Sequence, residues 1–250
     1  QSLYQSVLKM EPYYDDFHSS RAMVEKNMDL WKSYHEVKFN HELSFNRVSF
    51  DFGNEKILEN FSLSIFKGNT LVIKGKSGLG KTTIIDLLVG LHKPNSGEIC
   101  IDGINLKDVS IEKWRGKISY LPQDAELFNS TIKNNIIFFD ENYNDTLINN
   151  SIELTGVKNF SEKLHGKLDT LVGEAGNKMS GGQKQRIALS RILHPDKSIF
   201  ILDEPTSALD NESGNIILKL VHKLKSENKT VIIISHTNRF DKVADKVLEL

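Results

Sequence analysis

Thr70-Leu-Val-Ile-Lys-Gly-Lys-Ser-Gly-Leu-Gly-Lys-Thr-Thr83 is the stretch from which the rest of this chain can be read. Its first five residues are a short apolar run, the pattern of a buried strand, and the residues from Thr82 to Leu91 predict a helix. Between them, Gly75 to Thr82 fits G-x-x-x-x-G-K-[ST]. Glycines let the backbone curl until successive N–H groups face one point. The helix that starts there adds its positive N-terminal end. Strand, glycine-rich turn and helix in this order make a cradle for the phosphates of a nucleoside triphosphate. Lys81 is placed to neutralise the β- and γ-phosphates, and Thr82 to offer its hydroxyl to Mg²⁺. Gly75, Lys76, Ser77, Gly78, Leu79, Gly80 and Thr83 complete the expected contact surface.

A second apolar run, Ser198-Ile-Phe-Ile-Leu-Asp203, ends in an acid and is followed by Glu204. A buried strand of this kind delivers carboxylates to its C-terminal edge, where open α/β sheets bind ligands. Asp203 is expected to hold Mg²⁺ through water, because that ion keeps much of its hydration shell. Glu204 is placed to orient and polarise an attacking water.

Outward from these segments, Leu43–Phe52 and Ile57–Phe66 alternate as half-buried strands. Further strands are expected at 98–101, 117–121, 230–234 and 246–250. Helical patterns dominate from about 130 to 193. Strands alternating with helices at both ends indicate a mainly parallel α/β sheet, with the middle block a helical insertion. Residues 1–42 contain no glycine and carry spaced apolar positions, among them Met23, Val24, Met28, Trp31 and Tyr34. They read as an amphipathic arm interrupted near Pro12, or as a frayed terminus.

The bulk numbers set limits. There are 32 basic and 33 acidic side chains, a net charge of −1, which favours neither nucleic acid nor an anionic membrane surface. One cysteine, Cys100, forms no internal disulfide and suits a reducing compartment. No apolar run approaches the roughly 18–20 residues that span a bilayer. The chain starts at Gln1 without the basic-then-apolar pattern of a signal peptide, and reads as a piece of something longer.

Lys178-Met-Ser-Gly-Gly-Gln-Lys-Gln-Arg-Ile-Ala-Leu189 resembles the signature sequence of ABC ATPases, with Met179 in place of its first leucine. Ser180, Gly181 and Gly182 open a helix from Gln183, so the segment presents small residues and free N–H groups to a second anion. Around it the resemblance extends from about residue 43 onward. Leu121-Pro-Gln123 is similar to the family's Q-loop, Ser207-Ala-Leu-Asp210 to its D-loop, and Ser235-His236 to its switch histidine. Val172-Gly-Glu-Ala-Gly176 and Leu127–Ile136 are similar to segments found in exporters. The resemblance implies a P-loop NTPase with a parallel core, an antiparallel β subdomain and a helical subdomain over about 124–195, the whole spanning 43–250.

It also implies roles. Gln123 would ligate Mg²⁺, and with Lys81, Glu204 and His236 make up the catalytic set. His236 would contact the γ-phosphate. Phe52 lies where the family commonly has a tyrosine that stacks on adenine, and by alternation Phe50 is its rival. Met179, Ser180, Gly181, Gly182, Gln183 and Asp210 would meet the nucleotide of a second copy. ATP and Mg²⁺ are the implied cofactors. The implied partners are a second such domain and a transmembrane domain of the same polypeptide at the inner, cytoplasmic face of a membrane, without nucleic acid. A soluble ABC ATPase of DNA repair or translation is the competing reading. Lys81 and Ser180 lie only about 100 positions apart, which leaves no room for the long coiled coil of the chromosome-type members.

Overall fold

The computed structural model describes residues 36, 38–53, 55–76, 78–124, 126–138, 144–193, 196–206 and 211–250, with the side chains of 211–213 excepted. The arm expected over 1–42 lies almost wholly outside them, as do Ser77 and the segment 207–210 with Asp210.

The strands are β1 (Glu42–Phe52), β2 (Glu55–Phe66), β3 (Thr70–Lys74), β4 (Ser96–Ile101), β5 (Ile104–Asn105), β6 (Ile118–Leu121), β7 (Ile199–Asp203), β8 (Thr230–Ile234) and β9 (Lys246–Glu249). The helices are α1 (Lys81–Leu88), α2 (Ile111–Gly116), α3 (Ile132–Ile137), α4 (Asp145–Thr155), α5 (Val157–Ser161), α6 (Gly181–Ile192) and α7 (Asn211–Ser226). Two sheets result. One is antiparallel, in the order β2-β1-β4-β5; the other has the order β6-β7-β8-β3-β9 and its strand pairs are parallel. The expected α/β class and parallel core are therefore present, with an antiparallel layer beside them. Between β6 and β7 the described chain forms helices and 3₁₀ turns, with one isolated bridge from Thr131 to Leu171.

All five residues of β7 and all five of β8 are buried. Such strands read as continuous apolar runs because both faces of a parallel sheet are covered. Here Leu71, Ile73, Ile201, Ile232 and Ile234 face a core shared with α1 and the antiparallel sheet. Val72, Phe200, Leu202, Val231 and Ile233 pack on the opposite side with Ile217, Leu220 and Leu224 of α7. A third cluster, including Ile132, Ile136, Ile148, Ile152, Met179 and Ile187, holds the helical block together.

Helix α1 stops at Leu88, three residues before its expected end. Gly90 turns into the left-handed region at φ 70°, and Pro94 follows shortly. Its last carbonyls are satisfied from α2: the buried Trp114 indole donates to Leu88 O at 2.8 Å, and Arg115 donates to Val89 O and Gly90 O at 2.9 and 2.8 Å. A cation at a helix C-terminus also opposes the negative end of the dipole. The helix that carries Lys81 is thus fixed at its far end.

In the antiparallel sheet Arg47 sits at φ 49° in an irregularity of β1, and a Cβ on Gly97 would lie 2.2 Å from the Arg47 carbonyl oxygen. Only glycine allows that approach. Asp102, beyond β4, accepts the backbone N–H groups of Asn40, His41 and Glu42 at 2.7, 2.8 and 2.9 Å, tying the entry of β1 to the β4–β5 turn. Burial pushes its carboxyl upward, but the three donors outweigh that and hold it below its ordinary range. The folded carboxylate therefore contributes stability above about pH 4, lost as pH falls through the lowered value. Asp102→Asn keeps a residue that tolerates positive φ. It is expected to cost about 1 kcal/mol at neutral pH and to flatten the acid limb, which urea titrations between pH 3 and 7 would show. Among the described residues no helix is long and apolar enough to cross a membrane.

Candidate nucleotide site

Register brings the predicted residues together. β7 and β8 run parallel with Asp203 opposite Ile234, and β3 pairs Ile73 with Ile234 on the other side of β8. β6 pairs Leu121 with Leu202. The glycine-rich loop, Gln123, Glu204 and His236 each lie one to three residues past a strand end. They gather on the C-terminal edge of one sheet, where open α/β sheets bind ligands.

A cleft of about 170 Å³ opens there, lined by Gly78, Gly80, Lys81, Thr82, Thr83, Gln123, Asp203 and Glu204 among others. Its loop is bent at Gly75 (φ 151°), Gly78 (φ 86°) and Gly80 (φ 87°). A Cβ on Gly80 would meet the Ile57 side chain at 2.7 Å, so β2 presses directly on the loop. Lys76 and Leu79 are exposed, and Thr83 is buried behind the loop. Lys81 is only 7% exposed, and its ammonium donates to Gly75 O at 2.7 Å and Lys76 O at 2.9 Å. Among the described residues no ion pair reaches it. A buried cation hydrogen-bonded only to carbonyls, with the Asp203 charge acting on it from beyond ion-pair distance, fits an anionic ligand.

On the facing side Asp203 is buried at 8% exposure, and the Tyr120 hydroxyl donates to its Oδ2 at 3.0 Å. Burial raises the Asp203 carboxyl, the Tyr120 hydrogen bond lowers it, the neighbouring Glu204 charge raises it, the Lys81 charge lowers it and Asp86 raises it; the balance is upward. Burial first, and then the Asp203 charge, push the Tyr120 phenol well above its ordinary value. The exposed Thr82 hydroxyl, the Gln123 amide oxygen and the Asp203 carboxylate are hard oxygen donors on one cleft, a set suited to Mg²⁺.

Glu204 occupies the left-handed region at φ 43°, which only a few per cent of non-glycine residues adopt. The strain is fixed from outside: its N–H donates to Ile234 O at 2.9 Å, and its carboxylate meets Nε2 of His236. Strained residues of this kind cluster at functional sites.

Other predicted residues lie apart from the cleft. Phe50 is buried in the core, whereas Phe52 is 53% exposed, so the exposed ring is Phe52. It packs edge-on against Phe50 at 4.9 Å and His92 at 5.3 Å. Met179 is buried in the helical block. Ser180 caps α6 in a full capping box: its Oγ accepts from Gln183 N at 3.3 Å, and Gln183 Oε1 accepts from Ser180 N at 2.9 Å. The Ser180 N–H is therefore occupied, and Gly181 and Gly182 present the first helical N–H groups without an intrahelical acceptor. None of Met179–Gln183 lines the cleft.

Three contacts were not expected from the sequence: Tyr120 on Asp203, Gln185 donating to Pro205 O, and Lys74 at the root of the loop. Each joins residues 20 or more positions apart, which local pattern does not register.

Comparison with known proteins agrees with this geometry. The sequence profile described as "ABC transporter" matches residues 58–207. A beta-(1→2)glucan export ATP-binding/permease protein of Agrobacterium vitis is 36% identical over 99% of the chain and 42% of its own length. An ATP-dependent lipid A-core flippase of Desulfotalea psychrophila is 38% identical over 84% of the chain and 36% of its own length. The solved structure of a bacterial Atm1-family ABC exporter with ATP bound superposes with a TM-score of 0.81 at 33% identity, covering 86% of this chain and 38% of that one. The chain thus spans about two-fifths of the length of each. It belongs to the ABC transporter family and carries that family's ATP-binding domain.

Proposed function

We propose that this chain hydrolyses ATP in the cleft beside Lys81, and that two copies pair head to tail so that the cycle drives export across a membrane. The observation that carries the reading is Lys81, a buried ammonium partnered by carbonyls alone and facing a cleft of oxygen donors. Lys81 binds the β- and γ-phosphates, and the loop N–H groups from Gly75 to Thr83 cradle them. Phe52 stacks on adenine, worth roughly 1–3 kcal/mol. Thr82, Gln123 and Asp203 would hold Mg²⁺, which would supply positive charge against the phosphate oxygens. Glu204 accepts a hydrogen bond from the attacking water and so turns it toward the γ-phosphorus. His236 orients Glu204 and lies within reach of the γ-phosphate.

Gly181 and Gly182, capped by Ser180 and Gln183 beside Met179, face the nucleotide of the partner copy, and Asp210 lines the same junction. Splitting one anion site between two chains ties chemistry to association, since phosphoryl transfer needs mainly positioning and charge stabilisation. Residues 43–250 form this ATPase with a helical subdomain over about 124–195. Residues 1–42 link it to a transmembrane domain, which places it at the cytoplasmic face of the membrane. The relatives' printed cargoes differ, a glucan and a lipid A-core, while the segment they share with this chain is the same. That segment therefore serves ATP use rather than cargo choice. The relatives are exporters, which favours this reading over a soluble ATPase of repair or translation.

Lys81→Met removes the charge but keeps the apolar stem. It is expected to weaken ATP binding by about 2 kcal/mol, roughly thirtyfold in Kd, in a titration with a fluorescent ATP analogue. A Kd within threefold of the parent would overturn the assignment of the cleft.

A further inference from the structure

We infer that Lys74 is a positioning residue: it clamps the turn that follows His236 to the root of the phosphate loop. The inference rests on the reading of His236 given above. Lys74 is the last residue of β3, directly before Gly75, and the four residues before it are wholly buried. Its own side chain is 12% exposed, and the ammonium donates to the Asp241 carboxylate at 2.6 Å and to Asn238 Oδ1 at 2.8 Å. Both acceptors belong to the 3₁₀ turn Asn238–Phe240 and its C-terminal cap, two to five residues beyond His236. Phe240 in that turn is fully buried.

The segment carrying His236 is therefore tied to β3 at both ends. Before it, Ser235 N donates to Ile73 O at 3.1 Å. After it, Lys74 holds Asn238 and Asp241. Within it, the Thr237 N–H donates to Ser235 Oγ at 3.1 Å. The His236 side chain itself is 43% exposed, so burial does not fix it; the rigidity of this short loop does. A movement of the phosphate loop at Gly75 is transmitted through Lys74 to the histidine, and from it to Glu204, which His236 contacts. A guanidinium carries the same charge but is a planar fork rather than a point donor, so Lys74→Arg keeps the charge and alters the geometry.

The test uses the full-length polypeptide, measuring kcat, KM for ATP, nucleotide affinity and melting temperature of Lys74→Met, Lys74→Arg and Asp241→Asn, with His236→Ala as reference. Misplacement of a reacting group by about 1 Å costs up to a hundredfold. Lys74→Met is accordingly expected to lower kcat by roughly tenfold to a hundredfold, with KM and nucleotide affinity within about twofold. Asp241→Asn, nearly isosteric, should follow in the same direction, which keeps the test valid if Lys74→Met folds poorly. Lys74→Arg, which keeps the charge in another geometry, should retain more of kcat than Lys74→Met. Adding Lys74→Met to His236→Ala should lower kcat no further. Loss of melting temperature with kcat unchanged overturns the inference, and so does a multiplicative fall in the double variant. If His236→Ala itself turns over at the parent rate, the reading of His236 fails, and the clamp with it. If His236→Ala is inactive while Lys74→Met and Asp241→Asn are not, only the clamp fails.

Discussion

Glu204→Gln is expected to lower ATP turnover by roughly 10²–10⁴-fold while leaving ATP affinity close to that of the parent. The substitution keeps volume and one carbonyl oxygen, but removes the negative charge that polarises the water. It also replaces the carboxylate that meets Nε2 of His236 with an amide. Binding should survive because the groups proposed to face the phosphates are elsewhere: Lys81 on α1, and the loop glycines that β2 and β3 hold in place. The strained backbone at φ 43° is fixed by the hydrogen bond from its own N–H to Ile234 O, which glutamine leaves intact. A fall in kcat with a small change in Kd is what loss of a group acting in the transition state gives. Turnover within a few-fold of the parent would remove Glu204 from the chemistry.

Ser180→Arg is expected to abolish turnover without weakening nucleotide binding by a single copy. Two effects combine. The capping box with Gln183 is lost, at a cost of about 1 kcal/mol to α6. More important, a long side chain stands over the Gly181 and Gly182 N–H groups, which in the proposed head-to-tail pair have to approach the partner's nucleotide closely. The cleft proposed to bind the triphosphate has no residue from 179 to 183 in its lining, so the monomer's affinity has no reason to change. Parallel measurement of Kd and of ATP turnover separates the outcomes. A drop in single-copy affinity would mean that the signature helix acts on its own chain's nucleotide.

Much of the fold was legible because parallel strands buried on both faces leave an unmistakable trace. Thr230-Val-Ile-Ile-Ile234 and Thr70-Leu-Val-Ile-Lys74 have the same bounds in the sequence reading and in the structure. The turn between β3 and α1 ends at Gly80, one residue before the expected bound, and Gly75, Gly78 and Gly80 in it take positive φ. What local pattern cannot show is a contact between distant segments. Trp114 and Arg115 cap a helix that ends 26 residues earlier, and nothing near either residue announces it. β5, of two residues, is too short for any periodicity to register.

Phe50 and Phe52 are equivalent by alternation, and their rings do share a side, 4.9 Å apart. They differ because β1 ends there. Phe50 still lies over the core, whereas Phe52 has run past its edge and is half exposed. Lys74 was legible only as the end of a strand, since the significance of a charge there depends on Asp241, 167 positions later. Glu204 and His236 were assigned separately from their motifs. Their contact follows from the pairing of Asp203 with Ile234, a register that a single strand does not encode.

The proposed composite site is tested most directly by the solution mass of Glu204→Gln, followed by light scattering as ATP and Mg²⁺ are added. The expected mass is that of one chain without nucleotide, doubling at saturating ATP, with no doubling when Ser180→Arg is added to the same chain. A mass that stays at one chain while nucleotide binding is saturated would contradict it.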